Sequence, residues 1–459
     1  MREGDTIAAI ATPWGEGGIA IVRLSGPQAL EIAARVFRGK RKSVFDMSSY
    51  TIAYGHVIDP LTGEEIDEVI LSLMRAPYSY TREDVVEINC HGGTLVARKV
   101  LEIILAAGAR LAEPGEFTRR AFLNGRIDLT QAEAVLEIVR AKSEEAIRIA
   151  NRKLKGEFGK RLSSIRGKLL SLSAWVEASL DFPEEDLPLI TLEEIEDRLK
   201  EILSDLERVI NSTKAGSIYR DGVRVVICGK PNVGKSSLLN ALLQEARAIV
   251  TSIPGTTRDI IEEVLNVRGV PIRLVDTAGI RKAWDEIERE GVSRSLYQIE
   301  NADIVLLVLD SSSPLTEEDH IVMSKLEGRK VILVFNKRDL PTRIDADSVR
   351  RAFPKSREVW ISALLEEGIE DLKDRIVEEA QEGIDLSGEV WMTSLRNITC
   401  LEEALLSLRD SLNSLRDGMP YDVVALGIRE ALSSIGMITG EEWTEDLLDV
   451  IFSQFCIGK

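Results

Sequence analysis

The run Gly229-Lys230-Pro231-Asn232-Val233-Gly234-Lys235-Ser236-Ser237 has the residue types and spacing of a loop that binds phosphate. Glycines let successive backbone N–H groups turn inward on a nucleotide's phosphates. A lysine placed as Lys235 is reaches the β and γ oxygens, and a hydroxyl placed as that of Ser236 ligates Mg²⁺. The setting is the one such a loop requires, since a strand-like segment, Val223 to Cys228, leads in and a helix-like one, Leu238 to Leu243, leads out. The bland alternative is a Gly/Pro turn between strand and helix.

Three further elements follow in the order that hydrolysis of a guanine nucleotide needs. After the apolar strand Ile272 to Val275 comes Asp276-Thr277-Ala278-Gly279. A carboxylate at that strand end holds Mg²⁺ through water, and the Gly279 N–H meets a γ-phosphate. A second strand, Val331 to Phe335, ends in Asn336-Lys337-Arg338-Asp339. The Asp339 carboxylate accepts from the N1–H and exocyclic amine of guanine. Adenine lacks that pair of donors, so ATP would leave a buried charge unpaired. Ser362-Ala363-Leu364 follow the short strand Val359 to Ile361 and offer a backbone N–H to the guanine oxygen. Four ordered elements at the strand ends of one α/β unit select a guanine nucleotide, because ligands bind at those carboxyl ends.

Small signalling GTPases place a water-positioning glutamine directly after D-x-x-G, and here that place is Ile280. Another group must orient the water and neutralise the charge that develops between the β- and γ-phosphates. The segment Thr251-Ser252-Ile253-Pro254-Gly255-Thr256-Thr257-Arg258-Asp259 offers carbonyls and hydroxyls beside the phosphates, and Asn232 adds a side-chain oxygen. Oxygen-only ligands suit a hard cation. The residues alone leave two readings open, a cation site of unspecified occupant and an ordinary switch loop with Thr257 on Mg²⁺.

Across essentially its whole length the sequence resembles the MnmE (TrmE) family, bacterial GTPases that help modify the wobble uridine of certain tRNAs. The resemblance is carried by Gly-Thr-Thr-Arg-Asp at 255 to 259, Asp-Glu-Ile-Glu at 285 to 288, Pro-Gly-Glu-Phe at 114 to 117, His-Gly-Gly at 91 to 93 and Cys456-Ile457-Gly458-Lys459. It implies that the cation is K⁺, held by Asn232, Thr256 and the carbonyls of Thr251 and Ile253, and that it acts where an arginine finger would. It also implies that Glu288 orients the attacking water through a second water when two G domains meet. Read without the family, Glu288 is one acid in a charged segment. The implied assembly is a homodimer joined to MnmG (GidA), which carries the FAD. The implied reaction adds an aminomethyl or carboxymethylaminomethyl group to C5 of the wobble uridine.

These motifs need elements to position them. Residues 1–118 alternate short apolar runs with turn signals: Thr6 to Thr12, Gly18 to Leu24, Tyr50 to Ile58, Val69 to Met74 and Val85 to Asn89, with helical periods at Gln28 to Phe37 and Leu95 to Ala107. That pattern predicts an α+β domain. From Arg119 the pattern turns helical, with capping boxes expected at Thr130 to Glu133 and at Thr191 to Glu194, the second opening a helix through Ile210. Helical pattern resumes near residue 377 and runs to 459. The expected plan is therefore multidomain, with an α/β G domain of Ras-like type, 217–376, inserted into a helical domain made of 119–216 and 377–459. Nucleotide-driven motion would pass to those helices.

Residues 1–118 also resemble a tetrahydrofolate-binding fold related to the glycine cleavage T-protein, which in this family binds a one-carbon folate and dimerises. The resemblance implies a 5-formyl or 5,10-methylene tetrahydrofolate contacted by Arg23, Glu87, Arg126 and Lys459. At the position of Arg126 one known member of the family has lysine, which keeps the charge and changes the geometry. Without the family, Arg23 and Glu87 read as a surface salt bridge. Cys456 reads either as a nucleophile or trap near the one-carbon unit or as a packed thiol.

The 459 residues carry about three domains. No basic leader with an apolar run stands at Met1-Arg2-Glu3-Gly4-Asp5, and no apolar stretch has the length of a membrane span, so a cytoplasmic enzyme is expected. Cys90, Cys228, Cys400 and Cys456 lack the paired spacing of a disulfide framework or a zinc site, and Cys90-His91 reads as context for the Gly92-Gly93 turn. The net charge of −18, with 76 acidic against 58 basic residues, is unusual for a chain that grips tRNA phosphates alone. Much of that grip is expected from a partner. The competing class is a switch GTPase of RNA or ribosome assembly without modification chemistry. Such proteins usually carry a basic RNA-binding module, and none is visible here.

Overall fold

The computed structural model describes residues 4–40, 43–181, 191–243, 263–276, 298–382 and 389–459. The chain divides into two compact units. One comprises Met1–Leu136, Arg152–Leu203 and Cys400–Lys459, and the other Glu137–Asn151 and Ser204–Thr399.

The first unit contains a seven-stranded sheet built from β1 (Ile7–Ile10), β2 (Ile19–Ser25), β3 (Phe37–Gly39), β4 (Thr51–Ile58), β5 (Glu65–Met74), β6 (Val85–His91) and β7 (Arg110–Leu111). Its order is β3-β4-β5-β6-β2-β1-β7, antiparallel except for the β1/β7 edge. Helices Ala29–Val36 and Thr94–Ala106 share one core with the inward residues Val22, Leu24, Leu71, Leu73 and Ile88. Each such side chain contributes about 1.5–3 kcal/mol on burial. Strand alternation turns Arg23 and Glu87 to the opposite face. There Ile7 and Ala9 meet Phe117 on helix Glu116–Leu123.

The helical part of this unit corrects one expectation. The box that opens helix Leu129–Arg140 is Asp128 with Gln131, not Thr130 with Glu133. Gln131 N donates to Asp128 Oδ1 at 2.8 Å and Asp128 N donates back to Gln131 Oε1 at 3.0 Å. Asp-x-x-Gln satisfies the same orphan donors two residues earlier, while Thr130 is buried and donates to Asp128 at 2.6 Å. The box at Thr191 and Glu194 forms as expected. Its helix, Leu192–Asp221, continues past Ile210 and ends at Gly222, whose φ of +74° suits a C-terminal stop. Helix Glu157–Asp181 packs on helix Tyr421–Thr439. Helix Glu445–Phe452 is clamped by Arg119, which donates to Asp449 at 2.6 Å and to Glu445 at 2.9 Å.

The second unit contains a six-stranded sheet of β8 (Val223–Cys228), β9 (Glu263–Val267), β10 (Val270–Asp276), β11 (Ile304–Asp310), β12 (Val331–Asn336) and β13 (Arg357–Trp360). The order is β13-β12-β11-β8-β10-β9, parallel except for the edge strand β9. Val225 to Ile227, Leu306 to Val308 and Ile332 to Phe335 are buried throughout, as expected of strands covered on both faces. Chain order reverses between β8 and β11, which opens a crevice at the carboxyl ends of those strands. The continuously apolar β11 bears no motif, so motif spacing gives no sign of it. Gly216, inside helix Leu192–Asp221, leaves no room for a Cβ against the carbonyl of Trp391, whose N–H donates to Ser212 O at 3.2 Å.

Candidate functional site

The phosphate loop runs from the end of β8 to helix Lys235–Leu243, at the crevice. Three of its residues have backbones that most side chains avoid: Gly229 at φ +146°, Asn232 at +63° and Gly234 at +98°. A Cβ on Gly229 would collide with the carbonyl of Val308, and one on Gly234 with Asn336 Nδ2. The glycines are thus required by close backbone approach as well as by conformation. Lys235 Nζ donates to the carbonyls of Gly229 and Lys230 at 2.7 and 2.6 Å, so the ammonium curls over its own loop. Pro231, Asn232, Ser236 and Ser237 lie at the surface or half-buried, and Val233 is buried. Beneath the loop, burial pushes the Cys228 thiol up to about 12, and the Lys235 charge reverses little of that.

Asn336 joins the phosphate loop to the base-recognition segments. Its Nδ2 donates to Val233 O at 2.7 Å, and its Oδ1 accepts from Ala363 N at 2.9 Å. It is only 3% exposed, so both bonds lie in a dry interior where losing either leaves an unsatisfied group. Ser362 and Ala363 are buried, and Leu364 is exposed beside them. Ser362 forms a reciprocal backbone bridge with Glu367. Lys337 has φ +66° and its Nζ lies 2.6 Å from Asp310 Oδ2. Asp339 is exposed at the same strand end. Asp276 closes β10 beside Ile227 of β8, and only its backbone is described. Thr251, Ser252, Ile253, Pro254, Gly255, Thr256, Thr257, Thr277, Ala278, Gly279 and Glu288 lie outside the described residues.

The arrangement fits a guanine nucleotide. Crowded glycines and turned backbone N–H groups suit phosphate, the Ser236 hydroxyl on the first helical turn suits Mg²⁺, and the exposed Asp339 carboxylate past the end of β12 suits guanine, while the Ala363 N–H is taken by Asn336 Oδ1. Sequence reasoning missed Asp310, Asp319 and Thr316. Lys230 Nζ lies 2.6 Å from Asp319 Oδ2 and 3.1 Å from Thr316 Oγ1. Burial raises the Asp319 carboxyl, but Lys230 and the N–H and hydroxyl of Thr316 outweigh it and hold the group below its ordinary range. For Asp310 the same balance holds, with Lys337 and Ser312 as the donors. Thr316 and Asp319 form a capping box of the kind that sequence can signal, but their use of Lys230 has no local signature.

The second constellation lies in the first unit. Arg23 Nε donates to Glu87 Oε1 at 2.7 Å, Arg23 Nη1 donates to Gly458 O at 3.1 Å, and the guanidinium stands 5.6 Å from the Phe117 ring centroid. Phe117 N donates to Lys459 O at 3.2 Å, and Gly115 N to Cys456 O at 3.4 Å. Arg126 stacks over Tyr80 at 4.7 Å, and Tyr80 hydroxyl bonds Thr118 at 3.0 Å. Burial raises the Tyr80 pKa, opposed by Thr118 and by the charges of Arg126 and Arg23. The structure thus brings Arg23, Glu87 and the tail 456–459 together and places Arg126 on Tyr80. Tyr80 had no sequence signal beyond being aromatic, and Phe117 was marked only as the last residue of the Pro-Gly-Glu-Phe run, with no role attached. Arginines on aromatic faces beside a carboxylate are a chemistry for a flat, polar heterocycle. Cys456 is exposed. Cys90 and His91 turn to opposite faces of β6. Cys90 is buried, with its Sγ 3.4 Å from Ala20 O, and His91 Nδ1 lies 2.7 Å from Asp67.

Residues 6–126 match the family model described as the GTP-binding protein TrmE N-terminus, and residues 129–456 match that of the MnmE helical domain. The tRNA modification GTPase MnmE of Geobacillus kaustophilus is 49% identical over 462 residues, covering 100% of both chains. That of Geobacter sulfurreducens is 49% identical over 461 residues, again covering 100% of both. Among solved structures, the G domain of the T. maritima FeoB iron transporter is 33% identical over 35% of this chain and 99% of its own, with a TM-score of 0.27. A single-residue variant of Aquifex aeolicus Era bound to GDP·AlF4⁻ is 28% identical over 40% and 66%, with a TM-score of 0.28. No helix among the described residues is long and apolar enough to cross a membrane.

Proposed function

The chain belongs to the MnmE family of tRNA modification GTPases, and on that premise we propose that it hydrolyses GTP to drive modification at C5 of the wobble uridine of certain tRNAs, in a homodimer working with the FAD-containing MnmG. The observation that carries the reading is the bridge made by Asn336 between the phosphate loop at Val233 and the base loop at Ala363. It holds phosphate and guanine recognition in one rigid frame, which supports a site built for the whole nucleotide.

When bound, Mg²⁺ and K⁺ would neutralise charge that develops on the transferring phosphoryl group. Ser236 and Thr257 would hold the first, and Asn232, Thr256 and the carbonyls of Thr251 and Ile253 the second. Lys235 exchanges the carbonyls of Gly229 and Lys230 for phosphate oxygens, and Glu288 orients the attacking water. Asp276, Thr277, Ala278 and Gly279 would meet the γ-phosphate side, while Asp339 would read the base and exclude ATP.

In the first unit, a reduced folate is the one-carbon ligand that Arg23, Glu87, Arg126 and Lys459 would contact. The half-buried ion pair and the two arginine–aromatic contacts support that reading. Domain limits of 1–118, 119–216, 217–376 and 377–459 are proposed with it.

Mass analysis of wobble nucleosides from cells lacking this protein tests the conclusion. Loss of the aminomethyl and carboxymethylaminomethyl uridines is expected, with restoration by the wild-type chain and not by Lys235→Ala. Unchanged nucleosides would leave a switch GTPase without modification chemistry.

A further inference from the structure

Two ammonium–carboxylate pairs at the nucleotide site reach the same segment, the connection from Asp310 at the end of β11 to Asp319 in the first turn of helix Glu317–Ser324. Neither acid belongs to a nucleotide-binding motif. We propose that this connection is a brace that fixes the phosphate loop and the base loop relative to each other, with Lys230–Asp319 and Lys337–Asp310 as its clamps. The proposal rests on the guanine-nucleotide reading and adds positioning residues to it.

At the phosphate end, Asp319 Oδ2 accepts from Lys230 Nζ at 2.6 Å, from Thr316 N at 2.9 Å and from Thr316 Oγ1 at 2.8 Å. The carboxylate is 3% exposed and is the N3 partner of a capping box, so it cannot turn without uncapping the helix. Lys230 is therefore held by a group that is itself fixed. The carbonyl of the same Lys230 accepts Lys235 Nζ at 2.6 Å, so the clamp sets where the phosphate-binding lysine rests.

At the base end, Asp310 Oδ2 accepts from Lys337 Nζ at 2.6 Å, while Oδ1 accepts from Ser312 N at 2.9 Å and Ser312 Oγ at 2.6 Å. Lys337 stands two residues before Asp339, at φ +66°. That left-handed backbone is uncommon for a side-chain-bearing residue and needs outside support. Between the clamps, Ser311 N donates to Asn336 O at 2.9 Å, and Ser311 O accepts from Arg343 N at 2.8 Å and Ile344 N at 3.2 Å. The brace thus grips side chains at both ends and backbone in the middle. Interactions that only hold the loops act on bound substrate and transition state alike, so their loss raises KM more than it lowers kcat.

The test uses the full-length protein, with titration of a fluorescent GDP analogue and steady-state GTP hydrolysis. Lys230→Met and Asp319→Asn are each expected to weaken GDP about tenfold, or about 1.4 kcal/mol. The double variant should lose no more than either single, since both remove one pair. KM for GTP should rise about tenfold with kcat changed less than about threefold, and Lys230→Arg should restore affinity. Asp310→Asn should act in the same direction through the base loop. Unchanged GDP affinity in these variants overturns the brace. So does a lowered melting temperature whose folded fraction still binds GDP as wild type does, because the pairs would then serve packing alone. If Asp319→Asn fails to fold, Lys230→Met, which leaves the capping box intact, decides between the two outcomes. Failure of the wild type to bind GDP would sink the nucleotide reading instead.

Discussion

Arg23 on β2 and Glu87 on β6 are direct partners in an antiparallel register, and their side chains pair at 2.7 Å on the face of the sheet that Phe117 borders. They are 19% and 20% exposed, so solvent screens them only in part. In the folate reading proposed above, Glu87 would offer a carboxylate to adjacent donors of a pterin, and Arg23 would pair with a formyl oxygen or a glutamate tail. Calorimetry of the full-length chain should show 5-formyltetrahydrofolate binding weakened by about 1.5 kcal/mol or more in Arg23→Ala or Glu87→Ala. The double variant should lose less than the sum, since each single leaves a charge uncompensated. Equal affinity in all four proteins would assign the pair to sheet stability.

Asp339 is expected to set base choice. Asp339→Asn presents an amide donor to the oxygen that xanthine carries in place of guanine's amine. The ratio of kcat/KM for GTP over xanthosine triphosphate should fall on the order of 10²-fold or more. Equal turnover of ATP and GTP by the wild type would remove Asp339 from this role.

Hydrolysis should run faster in KCl than in NaCl at matched ionic strength, and Asn232→Ala should erase the difference. Asn232 stands exposed at φ +63° on the phosphate loop, and in the proposed K⁺ site its side-chain oxygen would be one ligand. Rates that coincide in the two salts at saturating GTP and Mg²⁺ would take the monovalent ion out of the mechanism.

Glu288 should matter to chemistry and not to nucleotide binding. Glu288→Ala is expected to lower kcat on the order of 10²-fold or more with little change in GDP affinity. A kcat within about twofold of wild type would return it to an ordinary surface acid.

Thiol chemistry gives an independent check on the packing. Burial, aided by the charge of Asp67, raises the Cys90 thiol to about 11, and burial raises Cys228 to about 12. Cys400 is buried and Cys456 exposed. Since the thiolate is the reactive form, a mild disulfide reagent near neutral pH should titrate one fast thiol per chain, and none in Cys456→Ser. Two or more fast thiols in the native protein would contradict the described cores.

The G motifs were legible because each is a contiguous run at a strand end, and β8 and β12 announce themselves as buried apolar strands. The folate-side pairing was legible only through resemblance, since Arg23 and Glu87 are 64 residues apart. Capping was half legible. Asp128-x-x-Gln131 and Thr130-x-x-Glu133 overlap and both fit the rule, and only the burial of Thr130 decides between them. The Lys230–Asp319 pair spans 89 residues and joins a motif to a segment without one, so no local pattern reports it. The edge strands β3 and β7 have three and two residues, too few to show alternation.

The contact between Arg23 and the Gly458 carbonyl spans 435 residues. At synthesis rates of about 5–20 residues per second, β2 leaves the ribosome on the order of 20–90 s before the residue it will meet. Throughout that interval the N-terminal residues lack the Gly458 carbonyl that Arg23 meets in the finished chain. Gly458 then has to enter a space so tight that a Cβ would strike the carbonyl of Ile10. A nascent or truncated chain therefore carries Arg23 and Glu87 without that contact, and under the proposed folate reading ligand capture would be a property that only chains translated through Lys459 acquire.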